Sequence, residues 1–330
     1  MAAAAILEFS PNSIGHICMK KEPQTAETKA TQERHLGKLG SQGTARRALA
    51  DAQLCLLGKG SNGSVCLVRY EGQLCALKTG LKACYTAAFE KEAAIMAKLG
   101  GAGGAPLPLG FCPETPALLM TFCGSRSLED RKDLGDQVLL QIGVRLAQAL
   151  QEVHLHDIVH CDLKPDNVTL QFAEDGRLHS LHVIDYGFAC AVGGSLPRRR
   201  TQNPKPWYCH CFYNGTPMRK ECDVQGLGYV LELLEEAMTL ESPALDELIA
   251  RAFDPEHEKR PTLQEAEALL SGLLASLSET EADVEAEETR EAQEERREAR
   301  SLPLRLPASC GPPSAPAFLS LQTEGGKQGN

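Results

Sequence analysis

Residues 160–167 read HCDLKPDN and residues 185–187 read DYG, and these two stretches decide the fold. In the first, Asp162 is followed two residues later by Lys164 and five residues later by Asn167. Phosphoryl transfer uses a carboxylate to orient the attacking hydroxyl, a cation on the transferred group and oxygen ligands for Mg²⁺. A polar loop before a hairpin would not by itself supply this set in this order. The sequence therefore predicts a phosphoryl-transfer site built from Asp162, Lys164, Asn167 and Asp185.

A glycine-rich turn lies upstream between two apolar runs that are typical of strands, and it reads LGKGSNGSV over residues 57–65. Glycines let backbone amides approach phosphate oxygens, because no Cβ stands in the way. In isolation a bare β-turn is the better interpretation, since glycine-rich turns are common in hairpins. A strand rather than a helix follows the turn, which excludes the dinucleotide-binding fingerprint.

Lys78 lies in the next apolar strand, where a buried ammonium needs an anionic partner. A lysine that reaches solvent from the edge of a sheet is the alternative, and in isolation it is the better one. Glu92 is the candidate partner, because its apolar neighbours place it beside the inward face of a predicted helix. Glu90 replaces it if the register slips, and either glutamate could be a solvated helix residue.

The apolar patterning predicts strands in the first part of the chain and helices in the second, which is an α+β order. Turn signals delimit strands at residues 54–57, 65–68, 74–77 and 118–120, and a later hairpin at 168–172 and 178–184. Helical spacing predicts helices at residues 87–99, 138–154, 224–238, 243–253 and 262–277. The charged stretch at residues 281–300 could form a solvated helix with i,i+4 ion pairs.

With these motifs in this order, residues 53–275 resemble the eukaryotic protein kinase superfamily, in a divergent form of the serine/threonine type. The resemblance implies an α+β, bilobal kinase domain at residues 51–275. Its small β-rich N-lobe would span residues 51–122, and its larger helical C-lobe residues 123–275. It also implies transfer of the γ-phosphoryl group of ATP, with Mg²⁺, to a serine or threonine hydroxyl of a protein substrate.

The resemblance further implies a role for each matched residue. Asp162 would be the catalytic base, Lys164 would contact the γ-phosphate, and Glu92 would pair with the lysine that holds the α- and β-phosphates. Asn167 and Asp185 would ligate Mg²⁺. ATP would be bound by Leu57, Gly58, Lys59, Gly60, Ser61, Asn62, Gly63, Ser64, Val65, Ala76, Lys78, Met120 and Cys123, with Met120 as the gatekeeper and Cys123 in the hinge.

Cys161 stands where the family usually has an arginine, which pairs with a phosphorylated activation loop through charge-assisted hydrogen bonds. Its absence predicts activity that does not depend on phosphorylation of Ser195, Thr201 or Thr216. Tyr186 replaces the usual phenylalanine, which is a mild change because both are large aromatic residues that pack against the helix carrying the glutamate.

No Ala-Pro-Glu ends the activation segment, and residues 207–212 read WYCHCF instead. Arg260 therefore loses its usual glutamate partner, for which Glu221 is a candidate substitute. Metal ligation is one interpretation of Cys209, His210 and Cys211, with Cys222 nearby. Their spacing matches no zinc pattern, and thiols lining a short loop are the favoured interpretation.

An active serine/threonine kinase is the favoured function, because the residues that the chemistry requires are all intact: Lys78, Asp162, Asn167 and Asp185. The main alternative is a pseudokinase scaffold that binds nucleotide and partners without efficient transfer, as the missing Ala-Pro-Glu and a short C-lobe suggest. A kinase of related fold that acts on small molecules is a third class, which the short substrate-docking region would permit.

The net charge of -10 argues against a nucleic-acid partner, and no stretch approaches the ~20 apolar residues that span a membrane. The N-terminus has no basic residues before its short apolar run, so it does not predict a secretory signal. Thirteen cysteines in a chain of this length predict free thiols and a reducing, cytoplasmic or nuclear location. Residues 1–50 predict a flexible leader, and residues 276–330 a charged, then Pro/Ser/Gly-rich disordered tail; both are candidate binding segments for other proteins.

Overall fold

The computed structural model describes residues 7–9, 17–19, 53–60, 63–112, 116–130 and 134–301. Ser61 and Asn62 of the predicted nucleotide-binding turn lie outside the described residues. So do most of the predicted leader and residues 302–330 of the predicted tail. The chain divides into two units, residues 1–279 and residues 280–330, and the first contains every element below except the end of the last helix.

The first part of the larger unit is a sheet of seven strands. They are β1 (Leu7–Phe9), β2 (Ile17–Met19), β3 (Gln53–Lys59), β4 (Gly63–Tyr70), β5 (Gln73–Gly80), β6 (Pro108–Cys112) and β7 (Ala117–Thr121). Their order across the sheet is β2-β1-β6-β7-β5-β4-β3, and only the β1–β6 pair is parallel. The sequence gives no strand signal at β1 and β2, which lie within the predicted leader.

The hairpin of β4 and β5 places Lys78 in the middle of the sheet. Glu71 and Gly72 form its turn with φ values of 48° and 81°, which is the left-handed pair that matches the twist of the flanking strands. Lys78 lies opposite Val65 on one side and Leu118 on the other. The interpretation of Lys78 as a residue at the sheet edge is therefore wrong, because β5 has a paired neighbour on each side.

Helix α1 (Thr86–Leu99) packs a row of apolar residues against the sheet side of the core. Phe89, Ala93 and Met96 recur at helical spacing and are buried. Gly100 ends the helix in the left-handed conformation at φ 59°, and its amide donates to the carbonyl oxygen of Met96. A glycine directly after the last helical residue commonly ends a helix in this way.

The later part of the chain is mainly helical. Its helices are α2 (Asp136–Leu155), α3 (His210–Asn214), α4 (Glu221–Glu235), α5 (Pro243–Ala252) and α6 (Leu263–Ser301). Helix α2 runs through the core, where a Cβ added at Gly143 would meet side chains of Leu231 and Leu270 at 3.2 Å. Helices α2, α4 and α6 are therefore in close contact, and α6 continues as a helix through the charged stretch.

Two short pairs of strands position the residues that carry chemistry. Strand β8 (Ile158–Val159) pairs with β11 (Cys190–Ala191), and β9 (Val168–Phe172) pairs with β10 (Leu178–Val183). Residues 160–167 join β8 to β9, and residues 185–187 follow β10. Both stretches are thereby held at neighbouring strand ends.

The predicted α+β architecture, with a β-rich first part and a helical second part, is confirmed. The seven-stranded sheet and α1 form the smaller lobe, and the helices from α2 onward form the larger one. Within the described part of the chain, no helix combines the length and the apolar character that crossing a bilayer requires.

The ring of Tyr186 is fully buried and lies edge-on to the imidazole of His160, with 4.8 Å between ring centroids. Its hydroxyl has no hydrogen-bond partner among the described residues. Burial raises the pKa of this hydroxyl above its ordinary value, so the group stays neutral. The hydroxyl therefore costs desolvation energy without gaining a hydrogen bond.

We expect Tyr186→Phe to raise the free energy of unfolding by about 1 kcal/mol, because it removes an unsatisfied buried polar atom. Tyr213→Phe is the matched control, since the Tyr213 hydroxyl accepts a hydrogen bond from the Lys205 amide at 2.6 Å. That variant should lose about 1 kcal/mol. Chemical denaturation measures both, and a loss of similar size in the two variants would contradict the assignment.

Candidate active site

A cleft of about 480 Å³ lies between the sheet and the chain segments that follow β7, β8 and β10. This volume is in the range typical of small-molecule sites. Thirteen of the residues singled out in the sequence line it. They are Leu57, Gly58, Lys59, Gly60, Val65, Ala76, Lys78, Glu92, Met120, Cys123, Lys164, Asn167 and Asp185.

Three predicted residues are not part of the cleft wall: Gly63, Ser64 and Asp162. A Cβ at Gly63 would collide with the carbonyl oxygen of Thr79, so this glycine is required by the packing of β4 on β5. The Ser64 hydroxyl lies 3.1 Å from that of Thr79 on the neighbouring strand. By contrast, a Cβ at Gly58 or Gly60 would meet nothing within 4 Å.

Lys78 forms the charged centre of the cleft. Its Nζ lies 2.8 and 2.9 Å from the two carboxylate oxygens of Glu92 and 2.9 Å from Oδ1 of Asp185. Glu92 is buried whereas Glu90 is exposed, which settles the register of α1 in favour of Glu92. Three residues from β5, α1 and the segment after β10 therefore meet at one point, as the sequence predicts.

The charges of this triad stabilise one another. Burial acts to lower the pKa of Lys78, but Glu92 and Asp185 outweigh it and raise that pKa above its ordinary value. Burial raises the pKa of Glu92 against the influence of Lys78. The carboxylate of Asp185 is 48% exposed, and Lys78 outweighs desolvation and holds its pKa below the ordinary value. Asp185 therefore stays ionised at the cleft wall, where a cation could reach it.

The loop at residues 160–167 brings its polar groups together. The side-chain amide nitrogen of Asn167 donates to the backbone carbonyl oxygen of Asp162 at 2.8 Å and to Oδ2 of Asp162 at 3.2 Å. The Nζ of Lys164 lies 3.9 Å from the same Oδ2 and 3.5 Å from Oδ2 of Asp166. Burial raises the pKa of the Asp162 carboxyl, and the Lys164 ammonium opposes this rise.

Asp223 is the anchor of this loop. Its carboxylate accepts hydrogen bonds from the backbone amides of His160 and Cys161, both at 2.8 Å, and lies 2.9 Å from Nε2 of His154. Burial opposes ionisation of Asp223, but the interactions with His154 and His160 together outweigh it, and the pKa lies below its ordinary value. These bonds to Asp223 hold Cys161 at a φ of 67°, which a residue with a side chain rarely adopts.

His160 links the two chemistry-bearing stretches. Its Nε2 lies 3.0 Å from the carbonyl oxygen of Ile184, and its Nδ1 accepts a bond from the Asp162 amide at 3.3 Å. Since a carbonyl oxygen can only accept, Nε2 carries the proton. The residue before Asp185 is thereby tied to the loop that carries Asp162.

Trp207 is a site residue that the sequence does not predict. Its indole Nε1 donates to Oδ1 of Asp162 at 3.0 Å, and its ring lies 5.4 Å from Nζ of Lys164. One oxygen of the Asp162 carboxylate is therefore already engaged. The sequence signal is only the presence of a single tryptophan in WYCHCF, 45 residues from its partner.

Arg260 is buried, and its contacts correct the expectation about Glu221. Its Nη1 donates to the backbone carbonyl oxygen of Glu221 at 2.8 Å, and its Nη2 donates to Oε1 of Gln225 at 3.0 Å. The Glu221 carboxylate lies instead 3.8 Å from the Arg219 guanidinium. No glutamate carboxylate pairs with Arg260 among the described residues, so Glu221 substitutes by its backbone alone.

Comparison with known proteins agrees with this geometry. Mitogen-activated protein kinase kinase kinase 13-B of Xenopus laevis is 25% identical over 203 residues, which are 59% of this chain and 20% of that protein. Two Homo sapiens proteins match shorter parts, each 31% of this chain. Serine/threonine-protein kinase PAK 4 is 27% identical over 104 residues, and serine/threonine-protein kinase ULK3 is 32% identical over 105 residues.

The chain spans no more than 20% of the length of these three relatives. The family model described as the protein kinase domain matches residues 52–276, which include the whole cleft. The chain belongs to the protein kinase domain family.

Proposed function

We propose that this chain is an active serine/threonine protein kinase, which transfers the γ-phosphoryl group of ATP to a protein hydroxyl. The observation that carries the proposal is the contact of Lys78 with both Glu92 and Asp185. A buried lysine between two carboxylates from separate elements presents a fixed positive charge at the base of a cleft. The names of two similar proteins, both serine/threonine-protein kinases, support the choice of acceptor.

The described cleft fits a nucleotide and its metal. Open space above Gly58 and Gly60 leaves room for phosphates near the backbone. The amide nitrogen of Asn167 is used within the loop, which leaves its oxygen for a cation beside the carboxylate of Asp185. Mg²⁺ bound there would neutralise charge on the phosphates and orient them for transfer.

The chain's own residues would divide the remaining work. Lys78 would hold the α- and β-phosphates, and Lys164 would neutralise the transferred group. Asp162 would orient the acceptor hydroxyl and take its proton on a carboxylate oxygen. Asp223 would position Asp162, because the Asp223 carboxylate bonds to the backbone amides of the two residues that precede Asp162.

Independence of activation-loop phosphorylation is part of the proposal. The Cys161 side chain is buried, and its thiol lies 3.4 Å from the carbonyl oxygen of Val159 and 3.7 Å from the Cys190 sulfur. It therefore presents no cation to a phosphate. The nearby Arg199 guanidinium lies over the rings of Phe188 and Phe212 at 4.5 and 4.6 Å, which engages it in cation–π contacts.

A pseudokinase scaffold is the second candidate, and Trp207 is the observation that favours it. An indole bonded to Oδ1 of Asp162 competes with an acceptor hydroxyl for one of the two carboxylate oxygens. If Trp207 does not move, the cleft binds nucleotide without transfer. We propose that the partner is a protein substrate, and that the chain has no nucleic-acid or membrane partner. We propose the cytoplasm or the nucleus as its location.

We expect the full chain to phosphorylate a generic basic protein in the presence of Mg²⁺ and γ-labelled ATP. Asp162→Asn should lower kcat by about 10²–10⁴-fold, because the amide cannot accept the proton. An unchanged melting temperature of Asp162→Asn is the control for damage to the loop. A rise in melting temperature with Mg²⁺-ATP but equal background incorporation by wild type and Asp162→Asn would support the scaffold instead.

Replacement of Ser195, Thr201 and Thr216 by alanine in one protein should leave the transfer rate unchanged within about twofold. The physical reason is that Cys161 offers no charge-assisted bond to a loop phosphate. The measurement is initial rate with the phosphatase-treated wild type as reference. A loss of more than about tenfold in the triple variant would contradict this part of the proposal.

The acid side of the pH–rate profile should reflect Asp162. Its pKa is raised by burial, so its carboxylate is protonated, and kcat/KM falls, at a higher pH than for an exposed aspartate. Trp207→Phe removes a hydrogen bond that favours the charged form, and this should move the acid limb to still higher pH. Tyr229→Phe is the aromatic control, and an identical limb in wild type and Trp207→Phe would refute the assignment.

A further inference from the structure

A cluster of three cysteines and one histidine lies behind the segment that carries Trp207. Cys209, Cys211, Cys222 and His257 are all buried, and their sulfur and nitrogen atoms lie within 4.8 Å of one another. The cysteines therefore lie beside an imidazole and do not line a single loop, which reopens the interpretation as metal ligands. His257 is the member that the sequence does not indicate, because it follows Cys222 by 35 residues.

The four residues come from three separate elements of the larger lobe. Cys209 is the N-cap of α3, and Cys211 lies in its first turn. Cys222 is the second residue of α4, and His257 begins the short helix His257–Lys259 that precedes α6. Since no two elements alone supply the set, only their packing creates the cluster.

The distances from the histidine to the three sulfur atoms are compatible with a tetrahedral metal site. The Nε2 atom of His257 lies 3.1, 3.6 and 3.6 Å from the sulfur atoms of Cys209, Cys211 and Cys222. In a tetrahedral zinc site with ordinary bond lengths, the nitrogen and each sulfur ligand are about 3.6 Å apart. Two of the three distances match this value, and the third requires a shift of about half an ångström.

The charges around the cluster suit bound thiolates. The Arg260 guanidinium lies 3.5 Å from the Cys209 sulfur, and the Arg219 amide donates to the Cys222 sulfur at 3.3 Å. Three thiolates with one divalent cation carry one net negative charge, which the buried arginine neutralises. Without a cation, three thiols and an imidazole would be buried together with only weak hydrogen bonds among them.

The donor set selects the metal. Thiolate and imidazole ligands in a tetrahedron are typical of Zn²⁺, and the Cys₃His combination is a common structural set. Four protein ligands leave no open position for water or substrate, so the site would be structural rather than catalytic. Hard cations such as Mg²⁺ and Ca²⁺ require oxygen ligands and are excluded.

We propose that Cys209, Cys211, Cys222 and His257 bind one Zn²⁺ that holds the WYCHCF segment against the larger lobe. The resemblance to protein kinases leads one to expect a glutamate at the end of this segment that pairs with Arg260. Here Arg260 contacts a ligand sulfur instead, so the metal takes the place of that ion pair. Because Trp207 is two residues from Cys209 and bonds to Asp162, the zinc also fixes the tryptophan in the active site.

Metal content tests the proposal whether or not the chain transfers phosphate. The full chain, expressed with zinc and purified under reducing conditions without chelator, should contain about one zinc ion per chain. His257→Ala and Cys222→Ala should each lower the zinc affinity by more than about tenfold. His179→Ala and Cys190→Ala are the matched controls, because His179 is an exposed histidine on β10 and Cys190 is a buried thiol outside the cluster. Both controls should keep the metal.

His257→Cys keeps the proposal testable if the alanine variants do not fold. It should retain about one zinc ion per chain, because four thiolates also form a tetrahedral site. Cobalt substitution should give the visible spectrum of a tetrahedral thiolate site, and this spectrum should change between wild type and His257→Cys. A chelator should lower the melting temperature of wild type, because zinc binding to such a site contributes to folding.

Three outcomes would overturn the proposal. One is wild-type protein that is folded with all of its buried thiols free and less than about a tenth of a zinc ion per chain. Another is zinc content that His257→Ala and Cys222→Ala leave unchanged. The third is a disulfide between two of the three cysteines under the reducing conditions, because a disulfide removes the thiolates that the metal requires.

Discussion

The ammonium of Lys78 is the constraint on which the active-site architecture depends. Its side chain is 12% exposed and belongs to a central strand, and removing one partner of a buried ion pair typically costs about 3–5 kcal/mol. Glu92 of α1 and Asp185 of the segment after β10 both bond to it. The sheet, the helix and the loop of the larger lobe can therefore take only the arrangement in which all three groups meet. The cleft is the space that this arrangement leaves.

The buried carboxylate of Asp223 fixes the loop at residues 160–167, as Lys78 fixes the elements around the cleft. Asp223 accepts hydrogen bonds from the backbone amides of His160 and Cys161 and contacts His154, so Cys161 is fixed in an unfavourable backbone conformation. The strain at Cys161 is compensated by these charge-assisted bonds. Asp162 is the next residue, so its position depends on Asp223 of α4 as well as on the loop.

The end of the segment that follows the DYG stretch is where the chain departs furthest from its family. The aromatic rings of Tyr208 and Phe212 stack there with centroids 3.8 Å apart, and Arg199 lies over Phe212. Arg260 contacts a carbonyl oxygen, an amide oxygen and a thiol in place of a carboxylate. The segment is thus held by ring packing and by sulfur and backbone contacts, and it brings Trp207 onto the carboxylate of Asp162.

The α+β order, most of the helices and strands, and thirteen of the residues that line the cleft were predictable from the sequence, because they depend on local spacing. HCDLKPDN and DYG carry their chemistry within a few residues, so their meaning is readable without coordinates. The choice between Glu92 and Glu90 required the folded structure, since these residues lie about half a turn apart on α1 and only one of them is buried. Only the folded structure brought Trp207 to Asp162 and His257 to the cysteines. Residues that are 35 to 51 positions apart meet only when helices pack, and no pattern along the chain records that contact.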